Sequence, residues 1–180
     1  MQALATPECA PEYQGLVRTV RVFPDPVLKK MCDEVNDMSG RVIVIIDDLL
    51  QTMLSLPRCV GLAAPQIGEL VRVVVVDVSR HPKSPPKNHG LLCMINPVIT
   101  QSLGSRVSRE GCVSVPDLTG NVGRSEQVAV RYFDRDGVER TIEANGFEAI
   151  AIQHELDHLD GMLFLDRVTA NGLFKRKRSD

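Results

Sequence analysis

The sequence predicts an α+β domain in which strands wrap a helix lying late in the chain. Three observations point there. Residues 145–161 have helical spacing yet are apolar on two nearly opposite faces, and such a helix is normally surrounded by other elements. Several short segments rich in β-branched residues are bounded by Gly, Pro, Asn and Asp, and two of them are joined by a hairpin signal. No internal repeat or linker divides the 180 residues, so one domain is expected.

In chain order, residues 1–17 are small, polar and Pro-bearing, and read as an extension of little structure. Asp25-Pro26 suits the opening of a short helical turn, with Pro at the first helical position. Ser39 precedes residues 41–56, where Val42, Ile45, Ile46, Leu49, Leu50 and Met53 recur at intervals of three and four. That spacing is an amphipathic helix with its stripe in the core, ended by Pro57. Residues 71–78 read as a buried strand. Residues 80–90 carry three prolines and read as an exposed loop, which leaves His81 and His89 solvated and not ligands.

Residues 91–100 and 128–133 read as strands, and Asp136-Gly137 turns the second into a strand at 138–142. Asn145 and Glu148 have the spacing of a capping box, and Gly161 is a natural helix stop. Between them Phe147, Ile150, Ala151, His154 and His158 share one face, with Ala149, Ile152, Leu156 and Leu159 nearly opposite. Residues 171–180, with Lys175-Arg176-Lys177-Arg178, read as a basic tail.

Composition narrows the function. With 43% hydrophobic and 24% charged residues, the chain has the make-up of an ordinary globular domain. Twenty-one Lys and Arg against 23 Asp and Glu leave a net charge of −2, with no general attraction for DNA or anionic membranes. No apolar run approaches the ~20 residues that span a bilayer. Five cysteines, Cys9, Cys32, Cys59, Cys93 and Cys112, are odd in number and lack any C-x-x-C spacing, which fits a reducing compartment. The first 17 residues have no Lys or Arg but contain Glu8 and Glu12, unlike a secretory or transit segment.

The chemistry lies in His154-Glu155-Leu156-Asp157-His158, an H-E-x-x-H pattern on the late helix. Residues four apart share a face, so both imidazoles can reach one metal ion, and Glu155 can touch a water there without being a ligand. Random placement of the four His and ten Glu would give this pattern only about 0.5% of the time. A third ligand is needed. The metzincin pattern requires His at position 164, which is Phe164, and no Glu follows Glu155 to serve a thermolysin-like site. Upstream, Cys112 stands out in Glu110-Gly111-Cys112-Val113-Ser114, a thiol where glycine permits close approach. A further cluster, residues 60–68 (V-G-L-A-A-P-Q-I-G), combines small residues with the amide of Gln66; by itself it reads as a tight turn.

Taken together and in this order, G-L-A-A-P-Q, E-G-C-V-S and Q-H-E-L-D-H-L-D-G closely resemble the peptide deformylases, from about residue 20 to residue 168. These enzymes remove the N-formyl group from newly made polypeptides. The resemblance implies antiparallel or mixed sheets around the helix and a catalytic domain over residues 18–170. It implies that Cys112, His154 and His158 bind one divalent metal per chain, Fe²⁺ in the cell, with Ni²⁺, Co²⁺ or Zn²⁺ able to substitute. Glu155 would then be the acid/base, with the Gln66 side chain and Val113 N–H binding the oxyanion. Substrate would lie against Val60, Gly61, Glu110, Gly111, Phe147, Ile150 and Ala151. Its substrates would be N-formylmethionyl nascent peptides. The run Lys175-Arg176-Lys177-Arg178 suggests a transient ribosome contact, although such a run is more often just a solvated tail.

Cys59 departs from the family pattern, where glycine is usual; that variant resembles organellar members, whereas E-G-C-V-S-V-P and Asn121-Val122-Gly123-Arg124 resemble bacterial ones. A bacterial cytoplasmic enzyme is the expectation. An H-E-x-x-H peptidase of another type, or a non-catalytic metal module closed by a fourth ligand such as Cys59, are the alternatives.

Overall fold

Four consecutive valines, Val73–Val76, set the middle of the molecule, and all four are buried. Side chains alternate across a strand, so a strand covered on both faces reads as a continuous apolar run. Val73 and Val75 join one core cluster, and Val74 and Val76 join another. The computed structural model describes residues 14–38 and 40–176. Among the described residues, two sheets and two long helices make up the fold. The helices are α1 (Gly40–Ser55) and α2 (Gly146–Leu159). The strands are β1 (Gly61–Ala63), β2 (Val73–Val76), β3 (Leu92–Leu103), β4 (Arg106–Cys112), β5 (Val115–Arg124), β6 (Gln127–Phe133), β7 (Glu139–Asn145) and β8 (Val168–Lys175).

The larger sheet has the order β1-β2-β3-β6-β7 and is antiparallel throughout. On one face, α1 packs Ile45, Ile46, Leu49 and Met53 against Val73, Val75, Leu62 and Ile95. On the other, α2 packs Ala149, Ile152, Leu156 and Leu159 against Val74, Val76, Val128 and Val130. The smaller sheet, β4-β5-β8, closes over the remaining side of α2, around a third cluster of Leu28, Cys112, Val115, Val122, Leu163 and Phe164. The expected α+β architecture with strands about a central helix is the one observed.

Local details follow the sequence closely in places. Asp25 caps the turn Pro26–Lys29 by accepting from Val27 N at 3.0 Å. Gly137 adopts φ +74° in the β6–β7 hairpin, where Asp134 Oδ1 accepts from the N–H groups of Asp136 and Val138. Gly161 (φ +67°) ends α2 against the backbone of Lys29, where a Cβ would meet the carbonyl oxygen at 2.8 Å.

Four expectations need correction. Residues 14–17 are not wholly loose: Leu16 N donates to Asp48 Oδ1 at 2.7 Å on α1; residues 1–13 and Ser39 lie outside the described residues. The capping box fails, because Asn145 makes no side-chain cap bond and the Glu148 carboxylate accepts instead from His89 N and pairs with its Nδ1. His81 and His89 are accordingly not simply solvated; both lean on α2, His81 stacking on Phe147 at 4.4 Å. Finally, residues 171–175 are no tail but the end of β8, hydrogen-bonded to β5; residues 177–180 lie outside the described residues.

Candidate metal centre and cleft

The helix α2 presents His154 and His158 one turn apart, with ring centroids 5.1 Å apart and edge to face. Cys112 is the last residue of β4, where the register with β5 shifts, and it points into the same space. One donor atom from each of the three lies within 4.8 Å of the others, and Cys112 Sγ is 3.3 Å from His158 Nε2. A buried thiolate and two imidazoles suit a borderline divalent ion such as Zn²⁺, Fe²⁺, Co²⁺ or Ni²⁺, not Ca²⁺ or Mg²⁺.

The charge state agrees with that donor set. Burial alone would raise the Cys112 thiol, but the imidazoles of His158 and His154 pull it well below its ordinary value. Burial likewise works against a charged His154, yet its bonds to Cys112 and Glu110 hold it well above the usual range. A thiolate beside an imidazolium is the arrangement that a divalent cation replaces, releasing the ring proton as it binds.

Behind His154 stands a buried chain of charges. His154 Nδ1 lies 2.8 Å from Glu110 Oε2; an ionised carboxylate only accepts, so Nδ1 carries the proton and Nε2 is left for a metal. Glu110 in turn accepts from Arg124 Nε at 2.7 Å and Nη2 at 3.0 Å. Arg124 Nη1 donates to Asp157 Oδ2 at 2.6 Å, and Arg167 closes the row on Asp157. Burial would raise Glu110, but His154 and Arg124 bring its pKa down to about 2. The Glu110 side chain is therefore engaged with His154 and Arg124. Arg124 and Asp157 stand inside motifs read from the sequence but not as site residues: they meet only where the end of β5 comes beside α2.

Glu155 is buried, and its Oε2 has no hydrogen-bond partner among the described residues. Burial raises its pKa to about 7, with the two imidazoles opposing. Gly61 explains how it fits: a Cβ there would stand 2.6 Å from Glu155 Oε1 and 2.8 Å from Cγ. Gln66, from the single turn Ala64–Ile67, is fully buried with its orientation fixed. Its Oε1 accepts from Ala63 N at 2.9 Å, so its Nε2 faces Ser114 Oγ at 3.1 Å and Cys112 Sγ at 3.5 Å. Val113 lies in the two-residue turn between β4 and β5 and lines the same cleft.

That cleft, about 590 Å³, is bounded by Val60, Gly61, Gln66, Gly111, Cys112, Val113 and His154. A contiguous hollow of about 230 Å³ runs past Val60, Glu110 and Gly111 to Phe147, Ile150 and Ala151. Of the residues expected at the site, Val60, Gly61, Gln66, Glu110, Gly111, Cys112, Val113, Phe147, Ile150, Ala151 and His154 border one or other of these spaces, and Glu155 and His158 border neither. Cys59 is also at the edge of the cleft, with its thiol donating to Gly61 O at 3.1 Å, and it is not among the residues whose donor atoms converge.

Two imidazoles and a thiolate around one point, with a carboxylate held back from them and open space beyond, define the class of metal-assisted hydrolases. Within that class the comparison with known proteins is specific. The polypeptide deformylase family model matches residues 17–173, and the chain belongs to that family. It is 42% identical over 160 residues to a peptide deformylase of Thermodesulfovibrio yellowstonii, covering 88% of this chain and 94% of that one. The crystal structure of a peptide deformylase from Legionella pneumophila superposes with a TM-score of 0.77 at 36% identity, covering 86% of this chain and 87% of that one. A Met-Ala-Ser-bound class I type b peptide deformylase from Acinetobacter baumannii gives 0.77 at 34%, over 85% and 99%. The chain is accordingly a hydrolase of protein biosynthesis, from a metal-dependent family.

Proposed function

We propose that the cleft hydrolyses the N-formyl group of N-formylmethionyl nascent peptides, with Cys112, His154 and His158 holding one Fe²⁺ ion and Glu155 moving the protons. The observation that supports this most is the convergence of three donor atoms within 4.8 Å of one another beside a buried carboxylate with a free oxygen. A divalent ion held there would supply Lewis acidity, polarising the formyl oxygen and lowering the pKa of water from 15.7 towards ~7.

The chain's own residues do the rest. Glu155 Oε2, raised towards neutrality by burial, accepts a proton from the attacking water and returns it to the departing α-amine. Gln66 Nε2, locked by Ala63, donates to the oxygen on which charge develops, as does Val113 N–H; such a donor is worth about 3 kcal/mol. The methionine side chain fills the hollow of Phe147, Ile150 and Ala151, while Val60, Gly61 and Gly111 let the peptide backbone approach. Formate and a free N-terminus leave.

The relatives named above are bacterial, and we propose a bacterial cytoplasmic setting. No described helix is long and apolar enough to cross a membrane. Of the basic run on which a ribosome contact rests, Lys175 ends β8 and Arg176 lines the cleft. The test is formate release from formyl-Met-Ala-Ser by protein handled without oxygen. Turnover that is lost in air with Fe²⁺ and kept with Ni²⁺ supports the assignment. Cleavage of internal amides without formate release would overturn it in favour of a peptidase.

A further inference from the structure

The chain is acidic overall, with a net charge of −2, yet the mouth of its cleft is cationic. Arg58 borders both the space before the metal donors and the adjoining apolar hollow, as does Arg176. Lys83 and Arg109 stand at the rim of the hollow. All four are exposed. Among the described residues none of them is paired with a carboxylate. Lys83 Nζ sits 5.9 Å from the Phe147 ring centroid; Arg109 stacks over Phe174 at 3.5 Å and donates to Asn121 and Thr119. The Arg176 guanidinium lies directly on Gly111, where an added Cβ would collide with Nη2.

Among the described residues, Glu110 is the one carboxylate that lines these two spaces. It is consumed by Arg124 and His154, while Asp77 borders only the outer space beyond Arg58 and forms no ion pair with any of the four. Four uncompensated cations around one opening raise the local concentration of an anionic ligand far more than the net charge suggests.

The direction of the substrate gives this ring its meaning. With the formyl end at Gln66 and Cys112 and the first side chain in the apolar hollow, the peptide's following residues leave through the opening that these cations surround. We propose that Arg58, Lys83, Arg109 and Arg176 select N-formylmethionyl peptides carrying Asp or Glu at the second and third positions. The inference rests on the deformylase reading of the same cleft. It assigns these four residues to substrate choice, not to the chemical step.

The experiment measures kcat/KM for formate release from formyl-Met peptides that differ only at positions two and three: Glu, Gln or Lys. Each is made with an amidated C-terminus, and the Gln peptide also with a free carboxylate, so that side-chain and terminal carboxylates are told apart. At low salt the Glu peptide should be favoured over the Lys peptide by about three- to tenfold per position, shrinking towards unity at 0.5–1 M salt, as expected for exposed pairs. In Arg58→Glu and Arg176→Glu the Glu-to-Lys ratio should fall below one. Because the readout is a ratio within each variant, a general loss of activity does not obscure it. Formate release from all peptides with ratios within twofold of one overturns this inference and leaves the deformylase reading intact. So does a Glu preference that both charge reversals leave unchanged, or an advantage confined to the free C-terminal carboxylate. No formate from any peptide overturns both.

Discussion

Replacing Arg124 by Met tests whether the buried charge row behind His154 holds the metal site together. Arg124 is 3% exposed in its side chain, and it donates two bonds to Glu110 and one to Asp157. Met fills comparable space but leaves Glu110 with His154 alone. Asp157 keeps the two bonds from Arg167, which is 42% exposed and can follow it. Removing one partner of a buried ion pair costs about 3–5 kcal/mol, and the surviving Arg167 bonds place this case near 3 kcal/mol. With Arg124 gone, Glu110 protonates more readily and accepts less strongly from His154 Nδ1–H, so metal affinity should fall about 10–100-fold. Urea unfolding of the metal-free protein measures the first effect, and competition with a calibrated chelator the second. Glu110→Gln combined with Arg124→Met should cost less than the sum of the single changes, because each then lacks a stranded charge. Stability within about 1 kcal/mol of wild type with unchanged metal affinity would show that the charge row does not hold the site together.

Cys112→Ser should lose most bound metal by elemental analysis while Cys93→Ser retains it, since Cys93 lies on β3 away from the donors. Gly61→Ala should reduce kcat at least tenfold with metal content unchanged, because the new methyl displaces Glu155 and not the ligands. Glu110 predicts the acid limb of stability. Its folded pKa of about 2 lies below the ordinary 4.5, so the unfolded chain binds the extra proton. The contribution, roughly 3 kcal/mol, is therefore full above pH 4.5 and lost as pH falls from there towards 2. Unfolding curves of Glu110→Gln should be lower at pH 7 and flatter across that window.

What could be read in the sequence was what repeats along the chain. The stripe of α1, the valines of β2 and the two-faced burial of α2 each follow from periodicity. The smaller sheet left no such trace. Its strands carry Gly111, Gly120, Gly123 and Gly172, and Gly120 is needed because a Cβ there would stand 2.5 Å from Val168 and 3.0 Å from Phe164. Glycine placed for close approach removes the β-branched signature by which strands are recognised. The ligand set showed as two motifs far apart in sequence. The charge row did not, because Arg124 and Asp157 acquire their meaning only where the end of β5 comes beside α2. Glu110 was legible as a site residue but not in its role, which depends on the orientation of one imidazole.

In the proposed mechanism Cys112, His154 and His158 hold the metal, and Glu155 transfers the protons. Glu155→Gln keeps the size of the side chain and cannot accept the proton from water. One preparation of this variant should be assayed for both metal content and kcat of formate release. The expected result is about one metal per chain with kcat reduced about 10⁴-fold or more, since one group serves both proton transfers. Loss of the metal together with activity would make Glu155 a ligand or a structural residue, and retention of both would remove it from the mechanism.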